Sequence, residues 1–252
     1  RRAARPGAAG ERYRTAFARG LRYLLAAELP GGGWPQVYPL QGGYHDALTL
    51  NDDMMVKATA LLQKTAAGDG DYGFVPTDLR TAARDAAARS VATMLATQVP
   101  SQGRPSIWAQ QYDPLTRTPV GARNFEPIAL ATAESAALLR FLMAQPDPSP
   151  AVKQAIASGA DWFATHALRD VAWTRPAGAD GRRLVAAPGA GPLWARFYDP
   201  ATGKPIYGDR DRSIRDDVND VSLERRNGYS WFSTSGIGVA TAYAKWRQRH
   251  GG

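Results

Sequence analysis

The sequence predicts an all-α fold, an α/α toroid of about three helical hairpins whose long irregular loops form a cleft at one end. Three observations point there: six segments carry helical periodicity, convincing strand alternation is scarce, and one loop motif returns between pairs of helices.

Residues 11–28 place Phe17, Leu21, Leu24 and Leu25 on one helical face, behind an N-terminal tail over 1–12. Residues 53–65 do the same with Met54, Ala58, Leu61 and Leu62, and 77–97 with Ala83, Ala87, Val91, Met94 and Leu95. The pattern returns at 126–144, 149–167 and 234–249, giving one domain over 13–250. Asn51 or Asp52, Thr77, Ser149 followed by Pro150, and Ser233 or Thr234 stand where N-caps would satisfy the free donors of a first turn. "GDGDYG" at 68–73 reads as a turn between two helices.

The connections 99–124 and 169–232 are rich in Pro, Gly and aromatics, and loops this long are more often functional than idle. "WAQQYDPLTRTPVGAR" at 108–123 and "WARFYDPATGKPIYGDR" at 194–210 share Trp, Ala, Tyr, Asp, Pro, Thr and Pro at matching offsets, each ending in Arg. "WPQVY" at 34–38 is a fainter third copy. The Asp-Pro-x-Thr portion is explained by turn formation alone; the Trp and Arg are not.

Composition narrows the chemistry. At 44% hydrophobic and 21% charged residues the 252-residue chain is globular rather than disordered, and no apolar run is long enough to span a bilayer. With no cysteine, disulfides, thiolate ligands and cysteine nucleophiles are excluded. Only His45, His166 and His250 are present, so any metal is expected to be a hard cation held by oxygen, and His45 reads as a solvated loop residue. The net charge of +8 suits an anionic partner, whether nucleic acid, membrane surface or acidic polysaccharide, although an Ala-, Arg- and Pro-rich composition alone would produce it. There is no initiator Met or signal peptide, so a processed or trimmed chain is expected.

Candidate site residues fall in the loops. Asn51, Asp52 and Asp53 fit either a helix start or an oxygen-rich calcium site. Arg123, Arg196 and Arg210 lie in or beside the repeated loops with Lys204, Arg225 and Arg226, and guanidinium groups grip carboxylates or phosphates through paired hydrogen bonds. Trp34, Trp108, Trp194, Tyr44, Tyr198, Tyr229 and Trp231 accompany them, fit either to stack on bases or sugar rings or to pack as core beneath the loops. Two classes stay open: a nucleic-acid binding module, and an enzyme for a polyanionic sugar chain. No G-x-S-x-G elbow, P-loop, dinucleotide fingerprint or H-E-x-x-H is present.

The ordered set G-G-W-P-Q-x-Y-P with Asn51-Asp52, W-x-Q-x-Y-D-P with A-R-x-F-E over 108–126, and L-W-A-R-F-Y-D, K-P-I-x-x-x-R-D and E-R-R-x-G-Y-x-W over 193–231 resembles the family 10 polysaccharide lyases. These are pectate lyases that cleave polygalacturonate, and the resemblance runs from Tyr13 to Trp246. It implies a helical toroid, Ca²⁺, and anti β-elimination with Arg123 removing the C5 proton. It implies metal ligation by Asp52 and Glu126, and substrate binding by Asn51, Arg196, Lys204, Arg210, Arg225 and Tyr229. It further implies an alkaline activity optimum, a monomer secreted by a bacterium, and no nucleic-acid or membrane partner. Nothing before Tyr13 matches the family's upstream helical region with its own G-G-W-P loop and aspartate, so a truncated or natural short form is expected. Asp53 and Met54 replace a usual Asn and small residue. A weakened galacturonan-binding form and, more distantly, a single-stranded nucleic-acid binder are the alternatives.

Overall fold

The computed structural model describes residues 7–251. Its helices are α1 (Gly7–Ala26), α2 (Met54–Ala67), α3 (Thr77–Ala96), α4 (Thr132–Met143), α5 (Pro150–Thr165), the short α6 (Leu223–Gly228) and α7 (Ser235–His250). All six expected helices form, and α6 is added. The expected tail is helical from Gly7 onward, and residues 1–6 lie outside the described residues. Ser149 caps α5 as its residue type dictates, its Oγ accepting from the Val152 N–H at 3.3 Å with Pro150 next in line. The N-cap of α2 is neither Asn51 nor Asp52: Asp53 stands there, and its side chain makes no capping bond. Asp52 and Asp53 are instead both left-handed, at φ 54° and 59°, a conformation that costs on the order of 1 kcal/mol per non-glycine residue and that Asp tolerates better than most.

The all-α class is overturned. Helix accounts for 47% of the described residues and strand for 14%, spread over several small sheets. The longest pairing joins Val171–Thr174 to Arg183–Ala186, antiparallel, with Val171 opposite Ala186. The shorter pairings, two residues long, include Gln111–Tyr112 with Pro119–Val120, Leu130–Ala131 with Phe197–Tyr198, Trp194–Ala195 with Phe232–Ser233, Tyr207–Gly208 with Ile214–Arg215, and Pro100–Ser101 with Arg104–Pro105. A two-residue strand has no alternation to be read. Yet the long connections must satisfy their buried backbone groups somewhere, and they do so by pairing with one another.

The chain divides into two compact units. The first runs through Ala96 and includes Asp113–Arg117. In it α3 packs on α1 and α2 around Leu21, Trp34, Leu62, Leu79 and Ala83. Its "GGGW" loop is dictated by that packing. A Cβ on Gly32 would stand 2.8 Å from Thr93 Oγ1, one on Gly33 would stand 2.4 Å from Leu48 Cδ1, and both residues have positive φ. Trp34 is then sealed in the core, its Nε1–H donating to the Leu24 carbonyl at 2.8 Å.

The second unit comprises Thr97–Tyr112 and the chain from Thr118. Here α4, α5 and α7 pack together over Trp108, Leu138, Leu139, Phe163, Trp194 and Val239. Gly236 of α7 lies against Trp194, where a Cβ would come within 2.4 Å of the indole.

The repeated loops are alike in hydrogen bonding as well as in letters. The Tyr112 hydroxyl accepts from the Ala109 N–H at 2.6 Å, and the Tyr198 hydroxyl from the Ala195 N–H at 3.1 Å. Asp113 Oδ1 accepts from the N–H groups of Leu115 and Thr116, as Asp199 Oδ1 does from Ala201 and Thr202. Each copy is a Trp-anchored, Asp-closed turn that ends by delivering an arginine.

Candidate active site

The site of the second unit is built on Phe125. A tight turn, closed by the Glu126 N–H to the Arg123 carbonyl at 2.7 Å, buries the Phe125 ring and folds the Glu126 carboxylate back onto Arg123. Arg123 donates from Nε at 2.8 Å and from Nη2 at 2.5 Å, a two-pronged pair that fixes the plane of the guanidinium. Tyr229 Oη donates to the same carboxylate at 2.7 Å. The Glu126 side chain is 1% exposed and that of Arg123 45%, so a buried anion holds a solvent-facing cation. Burial pushes the Glu126 carboxyl up, but the hydrogen bonds from Arg123 and Tyr229 outweigh it and leave the group below the usual carboxylate range. Burial raises the Tyr229 phenol, despite the opposing charge of Arg196, so it stays a donor.

Two further guanidinium groups share the ring. The Cζ atoms of Arg123, Arg210 and Arg225 lie 4.9, 5.5 and 4.5 Å from the Phe125 centroid, within cation–π range. Arg210 and Arg225 are joined by Glu224, whose two oxygens accept from both. Those bonds, Arg225's first and then Arg210's, hold the Glu224 carboxyl far below its ordinary value. Arg210 comes from the hairpin Tyr207–Gly208/Ile214–Arg215 and Glu224 from α6, and Asp209 ties the two together. Its carboxylate accepts from the Ser222 N–H at 2.6 Å and the Ser222 hydroxyl at 2.7 Å. Gly208 allows the hairpin to reach Phe125, since a Cβ there would meet the Phe125 carbonyl oxygen at 2.5 Å.

Arg196 sits on a paired segment, its N–H donating to the Trp231 carbonyl at 2.7 Å and its carbonyl accepting from Thr132 at 3.0 Å. Its Nη2 donates to Glu134 at 2.5 Å, and its Cζ lies 5.5 Å from the Tyr229 centroid. Burial would lower the Arg196 pKa, but the charge of Glu134 and the neighbouring Tyr229 and Glu126 hold it above the ordinary value. The cluster therefore sets four guanidinium groups against the carboxylates of Glu126, Glu134 and Glu224, with that of Asp209 beside Arg210, so its formal charges balance. Guanidinium groups held in this way present the paired donors that planar anions such as carboxylates accept from.

The structure thus brings together Arg123, Glu126, Arg196, Arg210, Arg225 and Tyr229. Lys204 lies apart from them, solvent-facing at the end of the Asp199 turn. Arg226 is buried on Asp180 and the Asn219 carbonyl, a structural tie. Trp34, Trp108, Trp194, Tyr198 and Trp231 are core residues, while Tyr44 is half-buried against His45. Asn51 and Asp52 belong to the first unit, Asn51 buried and Asp52 exposed with its carbonyl accepting from Lys57 at 2.8 Å. Glu126 does not fit a metal ligand here, because its carboxylate is already the counter-ion of Arg123 and the acceptor of Tyr229. Among the described residues no three His, Asp or Glu side chains are grouped to hold a metal. Sequence reasoning missed Phe125, Glu134, Asp209 and Glu224 as site residues; the E-R-R run around Glu224 carried a signal, since it places an acid beside paired bases.

Arginines gathered over Phe125 and Tyr229, each paired with a glutamate, make a cluster suited to anionic ligands, and the comparisons with known proteins place the chain among the lyases. Residues 7–240 match the pectic acid lyase family. The fold matches the family 10 polysaccharide lyase from Cellvibrio cellulosa at a TM-score of 0.85 and 31% identity, covering 93% of this chain and 73% of that one. An aspartate-to-alanine mutant of the same lyase, in complex with trigalacturonic acid, matches at 0.85 and 31% over 96% of this chain and 74% of that one. No curated protein matches the chain significantly. The chain belongs to the pectic acid lyase family, family 10 of the polysaccharide lyases.

Proposed function

We propose that the protein is a pectate lyase that cleaves polygalacturonate by anti β-elimination. The observation that carries this reading is the convergence of Arg123, Arg196, Arg210 and Arg225 on Phe125 and Tyr229, in a chain similar to a lyase whose mutant holds trigalacturonic acid. In this reaction a base takes the C5 proton, the C4–O bond breaks, and its electrons leave with the oxygen, which gains a proton. The new double bond joins C4 and C5. Arg196, Arg210 and Arg225 neutralise uronate carboxylates, which acidifies the adjacent C5–H and stabilises the enolate-like charge that develops. Arg123 is the base in this reading, held in orientation by Glu126. Free arginine stays protonated far into the alkaline range, so activity is expected to rise on the alkaline side.

Calcium, when bound, would add positive charge at the uronate carboxylate. Asp52, an exposed carboxylate on a strained turn, suits a calcium ligand, whereas Glu126 does not. Pectate is an extracellular polymer, and secretion of a monomeric enzyme follows from this reading. No described helix is long and apolar enough to cross a membrane.

The test is absorbance near the ultraviolet band of unsaturated uronate as polygalacturonate is added, with chelator and after calcium is restored. A rise that calcium controls supports the proposal. Retention on a polygalacturonate gel without any rise would favour a galacturonan-binding role, the second reading, which rests on the pairing of Arg123 with Glu126.

A further inference from the structure

Glu224 is placed unlike the other two glutamates of the cluster. Glu126 and Glu134 have side chains 1% and 4% exposed and are locked into the protein, whereas that of Glu224 is 56% exposed. Its two oxygens nevertheless collect four N–H bonds. Oε2 accepts from Arg210 Nε at 2.8 Å and Arg225 Nε at 2.7 Å; Oε1 accepts from Arg210 Nη2 at 3.0 Å and from Arg225 Nη2. The two guanidinium groups lie over the Phe125 ring, and Asp209 fixes the backbone between them through Ser222. The clamp is prebuilt, and the anion in it is one that solvent can reach.

We infer that Glu224 is a resident placeholder: its carboxylate fills the Arg210–Arg225 clamp in the absence of substrate and yields it to a uronate carboxylate of the same shape and charge. This rests on the proposed pectate reading and assigns Glu224 the new role of specificity-determining residue. The Arg210 half of the clamp is exposed, with side chains 61% and 56% accessible, and an exposed ion pair is weak enough to exchange, while the buried Arg225 keeps its place on the Phe125 ring. A methyl-esterified uronate carries no charge and lacks the second anionic oxygen, so it cannot compete for a clamp that Glu224 already satisfies. Occupancy by Glu224 therefore rejects esterified sugar while costing some affinity for the free acid. It also keeps Arg210 and Arg225 from repelling each other when the clamp holds no ligand.

The inference is tested by calorimetric titration of the whole chain with trigalacturonic acid and with its fully methyl-esterified form, comparing wild type, Glu224→Gln and Glu224→Ala. The variants are expected to bind the acid about three- to fivefold more tightly, the worth of the exposed Arg210 pair that the substrate must displace, with a matching fall in KM. The preference for acid over ester should narrow in Glu224→Ala, where the clamp stands open. In the wild type, the ¹³C resonance of the Glu224 carboxylate should shift on adding the trimer, a readout independent of variant folding. Unchanged or weaker acid binding in both variants, or a Glu224 resonance that stays put while the trimer binds, would make Glu224 a fixed brace and overturn the inference, leaving the pectate reading intact. Failure of every form, wild type included, to bind trigalacturonic acid would overturn both.

Discussion

Arg123 and Glu126 form a two-pronged ion pair in which the anion is buried and the cation faces solvent, Nε to Oε2 at 2.8 Å and Nη2 to Oε1 at 2.5 Å. Two of the three guanidinium nitrogens thus point at Glu126, which sets the orientation of the third. If Arg123 is the base, Arg123→Ala and Arg123→Lys should lower kcat by about 10³-fold, at the scale of general base catalysis, with trigalacturonate binding largely kept. Lysine cannot reproduce the two-pronged pair, so it should not rescue. Turnover that survives either change, or a rate that peaks below neutrality, would place the base elsewhere.

Glu126 should leave its mark on acid stability. Its folded pKa lies below the unfolded value of about 4.3, so its stabilisation is complete above that value and is lost as pH falls through the folded pKa. Glu126→Gln should cost about 2 kcal/mol near neutrality, less than for a fully buried pair because Arg123 is half-exposed. Thermal melts from pH 7 to pH 3 should show the gap between wild type and variant closing below about pH 4. A gap constant over that range would mean that the charge of Glu126 is not what stabilises the turn.

The Arg196–Glu134 pair lies deeper, with side chains 17% and 4% exposed. Arg196→Ala strands a buried carboxylate and should cost about 3 kcal/mol in denaturant melts. The double variant Arg196→Met/Glu134→Leu should recover most of that loss while trigalacturonate binding stays impaired, which separates fold from recognition. Recovery of binding along with stability would remove Arg196 from the substrate-holding set.

Gly208 gives a prediction free of charge effects. Gly208→Ala forces a Cβ toward the Phe125 carbonyl, and backbone must move. A loss of about 1–3 kcal/mol is expected in thermal unfolding, together with a raised KM as the floor under three guanidinium groups shifts. An unchanged KM would show that the floor does not position them.

The helices were legible because their apolar periodicity is long and uninterrupted, as at α3 and α5. The strands were not, because segments such as Leu130–Ala131 and Phe197–Tyr198 pair over two residues between positions far apart in sequence. Arg123 and Arg210 were readable from their place at the ends of two repeated turns, and Arg196 from its place within one. Their counter-ions were harder, because Glu134 meets Arg196 only through tertiary packing, while Glu126, read as a metal ligand, has its carboxylate taken up by Arg123 and Tyr229, partners that only the folded turn brings to it. The Asn51–Asp53 stretch looked like a helix cap, but capping needs extended backbone at that position, and Asp52 and Asp53 are left-handed.

The two Trp-anchored turns end alike, for Arg123 and Arg210 both lie over Phe125 and both are gripped through two nitrogens by a glutamate. They differ in whether that glutamate is sealed away or open to water. If the proposed roles hold, a single turn design used twice yields a division of labour, one arm stiff enough to aim a reacting group and the other loose enough to trade anions. Interchanging the burial of the two glutamates, rather than the arginines themselves, is the change that would swap the duties of the two arms.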